Sequence, residues 1–307
     1  MGPTAVVCAY SPVGREALAG LLDAGIRVLA LYTYPQGESE AWFVPPAHLA
    51  EAQGIPVHLE RQFNEDAIFD TIRFMKPDFL FSFYFREMIQ ARFLAVPRLG
   101  AYNLHGSLLP KYRGRAPINW VLVNGETETG ITLHAMTPKP DDGDIVGQTQ
   151  LPIEWDDTAL SLTLKSAEAG RALVRDVVPK LLDGTAIRIN QKSLAPSTYY
   201  GGRKPEDGRL NFSMRAADAF NLIRAVADPW PNAFLGTTPE TVQIPWALPT
   251  SLACPPGCFK ITPEGTLLGF SDGALMLHVL RNGPTRIERP TEQATLLREM
   301  GIPEASH

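Results

Sequence analysis

The sequence predicts an α/β protein in two parts: a Rossmann-like domain with a parallel sheet, residues 1–200, and a smaller C-terminal β-barrel of OB-like character, residues 205–307. Three observations predict it. Short, continuously apolar runs alternate with segments of helical periodicity through the first 105 residues, the signature of a parallel sheet covered on both faces. The stretch APSTYYGGRKPEDG, residues 195–208, is dense in turn formers and marks a linker. Beyond it, short strand-like runs are separated by Gly and Pro, as in a small β-barrel.

Residues 5–10 form an apolar run followed by Ser11-Pro12-Val13-Gly14, and residues 16–22 carry apolar side chains at helical spacing, which reads strand, turn, helix. Further strands follow at 26–32, 56–59, 79–84 and 101–104. Helices are expected at 46–53 and 64–75, the second capped by Asn64 with acids in its first turn. After the central stretch come a strand at 145–151 and a long amphipathic helix, 158–182, ending at Asp183-Gly184. The C-terminal part shows a helix at 216–226 and strands at 241–246, 258–261, 266–270 and 274–279.

At 307 residues the chain exceeds what one core comfortably serves, so two cores are expected. A formal net charge of -5 argues against an extended nucleic-acid surface. The N-terminus lacks the basic and apolar regions of a signal peptide, and no run approaches the roughly 20 apolar residues of a membrane span, so a cytoplasmic protein is expected. The three cysteines, Cys8, Cys254 and Cys258, are too few for a disulfide framework, and Cys254-Pro-Pro-Gly-Cys258 reads as a turn rather than half of a metal site. No G-x-G-x-x-G follows the first strand, so no dinucleotide cofactor is expected.

Polar chemistry concentrates in residues 100–144. Transfer of an acyl group to an amine needs a base for the amine's proton, a donor for the tetrahedral oxyanion and a proton for the leaving nitrogen. His105 can serve as base and acid, its ordinary pKa lying near neutrality. Asn103, two residues earlier on an extended segment, points to the same side, where its amide N–H can meet the oxyanion. Asp141 can accept from the other ring nitrogen, fixing the tautomer and raising the His105 pKa. Nothing in this constellation requires a metal.

The run Asn103-Leu-His-Gly-Ser-Leu-Leu-Pro-Lys-Tyr-Arg-Gly-Arg-Ala-Pro117, with Thr129-Gly-Ile-Thr132 and Asp141-x-Gly143, resembles the 10-formyltetrahydrofolate-dependent formyltransferases. Gly106, Lys111, Arg115, the run Asn119-Trp-Val-Leu-Val-Asn-Gly-Glu-Thr-Glu-Thr-Gly130, Phe81-Ser-Phe-Tyr84 and Arg224-Ala-Val-Ala-Asp-Pro-Trp-Pro231 are similar to one branch of that family. That branch is the UDP-4-amino-4-deoxy-L-arabinose formyltransferases, represented by the formyltransferase half of the bifunctional polymyxin-resistance enzyme, so the resemblance implies formylation of that sugar for lipid A modification. The likeness spans residues 5–233 and fades beyond them.

The resemblance implies the formyltransferase fold, 10-formyltetrahydrofolate as co-substrate and a nucleotide-linked amino sugar as partner. It implies His105 as the proton-transfer residue, Asn103 as transition-state stabiliser and Asp141 as the residue that tunes His105. It also implies folate contacts from Glu87, Met88 and Ile89, from Arg115, and from Thr137, Pro138, Lys139 and Pro140. The rival acceptor, methionyl-tRNA, calls for a basic second domain, whereas residues 205–307 carry eight Lys/Arg against eleven Asp/Glu. A hydrolase passing the formyl group to water would use the same three residues. His48, His58 and His278 read as structural or exposed, and His134 as a neighbour of the site. Tyr199 to Lys204 reads as a linker turn or a seat for a substrate phosphate or uracil.

Overall fold

The computed structural model describes residues 2–59, 62–194 and 196–306. In chain order the elements are β1 (Thr4–Ala9), α1 (Ser11–Asp23), β2 (Arg27–Thr33), α2 (Pro46–Ala52), β3 (Val57–Leu59), α3 (Asp66–Met75), β4 (Phe79–Phe83), α4 (Ala91–Leu94), β5 (Gly100–His105), β6 (Arg113–Gly114), α5 (Pro117–Val123) and β7 (Glu128–Ala135). They continue with β8 (Ile145–Pro152), α6 (Ala159–Asp183), β9 (Tyr199–Tyr200), α7 (Ala216–Ala225), β10 (Ala233–Leu235), β11 (Val242–Thr250), β12 (Phe259–Thr262), β13 (Gly265–Phe270), β14 (Gly273–Asn282), β15 (Thr285–Ile287) and α8 (Pro290–Glu299). The chain divides into two compact units. One comprises Met1–Pro117, Glu128–Ile153 and Ser161–Gly201; the other comprises Ile118–Thr127, Glu154–Leu160 and Gly202–His307.

The first unit is built on a seven-stranded sheet of order β3-β2-β1-β4-β5-β7-β8. Strands β3 to β5 along this order are parallel, whereas β7 runs antiparallel to both β5 and β8. Alternation along the strands feeds two cores. Val7, Phe79, Phe81 and Phe83 pack on one face with Leu18 and Leu21 of α1 and Val174 and Val178 of α6. Val6, Cys8 and Leu80 pack on the other with Ile68 and Ile72 of α3. Each fully buried large side chain contributes about 1.5–3 kcal/mol, so both faces of β1 and β4 are committed and their register cannot slip without exposing a core. Toward the sheet edge β8, after buried Ile145 and Val146, alternates half-buried and exposed residues, as expected of an antiparallel strand with one solvated face.

Several elements differ from the sequence reading. Helix α1 starts at Ser11 with Pro12 in its first turn, where proline's missing N–H costs nothing, so the expected turn is the helix start itself. Asn64 does not cap α3; the N-cap is Glu65, and the Asn64 amide instead bridges the Met88 carbonyl at 2.9 Å and the Gln90 N–H at 2.9 Å. Helices α5 and α8 were not expected. Both begin with Pro in the first turn, at Pro117 and Pro290.

The second unit is an antiparallel sheet of order β10-β11-β14-β13-β12, with β15 paired to β14. Its core gathers Ile244, Phe259, Leu268, Phe270 and Leu275 with Phe220 and Ile223 of α7 and Leu297 of α8. The Asn119 amide donates to the Ala225 carbonyl at 2.6 Å, which ties α5 to the end of α7. Arg224, buried and lying over the Phe220 ring, donates to the carbonyls of Glu154 and Asp157. Among the described residues no helix is long and apolar enough to cross a membrane.

Candidate active site

The site lies at the carboxyl end of β5, in the first unit, where open α/β sheets place their ligands. Because strand side chains alternate, Asn103 and His105 share one side of β5. The antiparallel neighbour β7 then sets His134 opposite Asn103 and Thr132 opposite His105. The loop after β7 returns Asp141, which has a left-handed φ of 50°, beneath them.

The Asp141 carboxylate is the hub. Its Oδ1 lies 3.5 Å from Asn103 Nδ2, 3.5 Å from His105 Nδ1 and 3.5 Å from His134 Nε2. Its Oδ2 accepts the Gly114 N–H at 2.9 Å. The Asn103 amide nitrogen also donates to His134 Nε2 at 3.0 Å, and His134 Nδ1 faces the Ala135 carbonyl at 2.9 Å. Those partners assign the proton of His134 to Nδ1.

For His105 the tautomer follows from a different partner than expected. Its Nε2 lies 2.8 Å from the Tyr112 carbonyl oxygen, which can only accept, so Nε2 carries the proton and Nδ1 is the bare nitrogen facing Asp141. Burial pulls the His105 pKa below its ordinary value. Asp141 and the Tyr112 carbonyl push it back up and His134 pushes it down, but burial wins. The sequence reading expected Asp141 to raise this pKa; Asp141 acts in that sense, and desolvation outweighs it. For Asp141 itself burial acts upward, yet His105, His134 and the Gly114 N–H overcome it and hold the carboxyl well below the usual carboxylate range. The resting pair is a neutral imidazole beside a carboxylate.

A second ring of contacts fixes the loop that follows His105. The Thr132 hydroxyl donates to the Ser107 carbonyl at 2.6 Å and accepts from Gln148 Nε2 at 2.8 Å, and Gln148 Nε2 also reaches the Leu109 carbonyl at 3.1 Å. Arg113 pairs with Asp142 at 2.9 Å. Buried Gln191 donates to the carbonyls of Asp141 at 3.1 Å and Gly143 at 2.6 Å.

The residues expected to meet a folate divide into two kinds. Glu87 turns inward, its carboxylate accepting from the Tyr34 hydroxyl at 3.5 Å and the Phe63 N–H at 3.2 Å. Ile89 is buried in the core under α3. Met88, Arg115, Pro138, Lys139 and Pro140 are exposed. Thr137 closes a short turn on the Lys139 N–H and carbonyl. Among the described residues no group of three or more His, Cys, Asp or Glu could hold a metal ion.

Sequence reasoning placed His134 only near the site, and it missed Tyr112 and Gly114 as partners of the His105 and Asp141 side chains and Gln191 as the partner of the Asp141 and Gly143 carbonyls. His134 was findable only through the antiparallel β5–β7 register. The others act through backbone groups or a lone amide and leave no pattern in the sequence.

Residues 33–178 match the model described as formyl transferase, and residues 203–292 match that described as formyl transferase, C-terminal domain. The chain belongs to the formyl transferase family. The fold of this formyltransferase recurs in solved structures. The sugar 3N-formyltransferase WlaRD, crystallised with dTDP and 5-N-formyl-THF, is 18% identical with a TM-score of 0.69, over 89% of this chain and 96% of its own. An N-formyltransferase from Helicobacter canadensis, in complex with folinic acid and dTDP-3-aminofucose, is 20% identical with a TM-score of 0.68, over 90% of this chain and 99% of its own. HypX from Aquifex aeolicus, in complex with tetrahydrofolic acid, is 16% identical with a TM-score of 0.63, over 98% of this chain and 48% of its own.

Proposed function

We propose that this formyltransferase moves the formyl group of 10-formyltetrahydrofolate to the 4-amine of a nucleotide-linked amino sugar, UDP-4-amino-4-deoxy-L-arabinose, as a step in lipid A modification. The reading is carried by the convergence of Asn103 Nδ2 and His105 Nδ1 on one oxygen of Asp141, each at 3.5 Å. The motif at 103–130 and the sugar N-formyltransferases that share the fold support the acceptor class.

The neutral amine attacks the formyl carbon, a new C–N bond forms and the carbonyl oxygen becomes an oxyanion. Asn103 Nδ2 carries two hydrogens. One is held by His134 at 3.0 Å; the other makes only a long contact to Asp141 at 3.5 Å and is the one free to turn to the oxyanion. His105 Nδ1 takes the proton of the attacking nitrogen. Asp141 offsets the imidazolium charge so formed, and the Tyr112 carbonyl keeps Nε2 protonated throughout. The same imidazolium then delivers the proton to the folate nitrogen as its bond to the formyl carbon breaks, leaving tetrahydrofolate and the formamido sugar.

The test is an acceptor panel of UDP-4-amino-4-deoxy-L-arabinose, dTDP-linked 4-amino sugars and methionyl-tRNA, each with 10-formyltetrahydrofolate. The account expects the UDP sugar to give the highest kcat/KM. Preference for methionyl-tRNA would overturn the sugar assignment.

A further inference from the structure

Both groups that orient the catalytic pair come from one short turn: the Tyr112 carbonyl on His105 Nε2 at 2.8 Å and the Gly114 N–H on Asp141 Oδ2 at 2.9 Å. This turn is poorly suited to holding itself. Tyr112, Gly114 and Ala116 have φ of 57°, 99° and 53°, and each left-handed non-glycine residue costs about 1–2 kcal/mol against the ordinary backbone. Something outside the turn must fix it.

Beside the Arg113–Asp142 pair, that support comes from residues 198–200, which the composition reads as part of a linker. Strand β9 pairs in parallel with β6, Tyr199 opposite Arg113 and Tyr200 opposite Gly114. The Thr198 hydroxyl accepts the Tyr112 N–H at 2.8 Å, and the Thr198 carbonyl accepts the Arg113 N–H at 3.0 Å. The Tyr200 carbonyl accepts the Arg115 N–H at 3.0 Å, while the Thr198 N–H donates back to the Pro110 carbonyl at 3.2 Å. The rings of Tyr112 and Tyr200 stack 4.9 Å apart at 11°. Contact is so close at Gly114 that a Cβ there would lie 2.2 Å from the Tyr200 carbonyl oxygen.

We propose that Thr198 and Tyr200 are positioning residues for formyl transfer, fixing through the 112–115 turn the carbonyl that orients His105 and the amide that orients Asp141. The proposal rests on the catalytic reading of His105 given above. Thr198 and Tyr200 act on the imidazole and the carboxylate through the main chain of the turn, one hydrogen bond away. An error of about 1 Å in such a turn costs on the order of 10²-fold in rate, because the base and the oxyanion donor no longer address the same carbon.

The experiment compares wild type, Thr198→Val, Thr198→Ser, Tyr200→Leu, Tyr200→Phe and His105→Ala, using 10-formyltetrahydrofolate and UDP-4-amino-4-deoxy-L-arabinose. Thr198→Val and Tyr200→Leu are expected to lose about 10- to 100-fold in kcat, with KM for both substrates held within about threefold. Thr198→Ser keeps the acceptor oxygen and Tyr200→Phe keeps the stacked ring, so both are expected to return most of the lost rate. In parallel, ¹⁵N-histidine NMR on each folded variant follows His105, its signal assigned by its loss in His105→Ala. The groups facing His105 are Asp141 from the loop after β7, His134 from β7 and the Tyr112 carbonyl. Loosening the last removes one of the two stabilisers of the imidazolium, so the His105 midpoint should fall in Thr198→Val and recover in Thr198→Ser. Full kcat and an unmoved midpoint in Thr198→Val, with His105→Ala inactive, would overturn the proposal. An active His105→Ala would instead overturn the catalytic reading. If none of the sugars is turned over, the NMR midpoint alone decides.

Discussion

Residues 103–115 and residues 198–200 lie side by side at the end of the central sheet, yet only the first stretch carries the amide and the imidazole that face Asp141. The first is conspicuous in sequence because its chemistry resides in side chains: an amide, an imidazole and, from the loop after β7, a carboxylate. The second is inconspicuous because its contribution is made almost wholly by main-chain groups, one hydroxyl and one ring. Placing a reacting group and holding it still are separate physical tasks, and the proposed mechanism assigns them to segments about ninety residues apart.

If that division is right, substitutions in the reacting stretch should abolish turnover, whereas those in the holding stretch should degrade it. The largest expected effect is His105→Ala, a loss in kcat of about 10²–10⁴-fold, with folate affinity nearly unchanged since the side chain is buried under the turn. Asn103→Ala comes next, at about 10²–10³-fold, the usual cost of one oxyanion donor. Stopped-flow single-turnover assays and equilibrium folate binding check both. The Thr198 and Tyr200 variants are expected below these, and a Thr198→Val defect as deep as His105→Ala would erase the distinction between the two stretches.

Asp141→Asn sharpens the comparison through pH. In wild type, burial sets the His105 midpoint below its ordinary 6.5, so the rising acid limb of kcat should fall below 6.5. Asp141 raises that midpoint, so its removal should move the limb to still lower pH while the plateau drops. The stability sign is also fixed. A carboxyl whose folded pKa lies below its ordinary 3.8 adds stability above 3.8 and loses it as pH falls through the folded value. The Tm gap between wild type and Asp141→Asn should therefore narrow as the pH drops below 3.8. A gap that widens instead would show that Asp141 is not ionised at the site.

The smallest effect concerns the wall beside His105. A Cβ on Gly106 would lie 1.9 Å from the Tyr84 hydroxyl, a buried group with no hydrogen-bond partner among the described residues. Gly106→Ala should cost about 1–3 kcal/mol of stability by overpacking, measured by urea denaturation. Adding Tyr84→Phe should recover part of it, because the clashing oxygen goes and no hydrogen bond is lost. Additive destabilisation in the double variant would refute that contact.

The legibility of the fold follows the same line. The strands β1, β2 and β4 were readable because both their faces are buried and their runs are therefore almost continuously apolar. Asn103 and His105 were readable because a period of two puts them on one side of β5. His134 was not, since its place depends on β7 running antiparallel to β5 with Asn103 opposite His134, a tertiary fact. Asn64 misled for a related reason: its cap chemistry is real, but the amide serves the 88–90 loop rather than α3. Strand β9 is two residues long, and no periodicity can announce so short a ladder.

The central claim is that the formyl group passes to an amine under the control of His105, Asn103 and Asp141. The most direct measurement is the rate of tetrahydrofolate release from 10-formyltetrahydrofolate with and without UDP-4-amino-4-deoxy-L-arabinose. The account predicts release that requires the amino sugar and matches formamido-sugar formation one for one. Release at the full rate with no amine present would contradict it and make the protein a hydrolase.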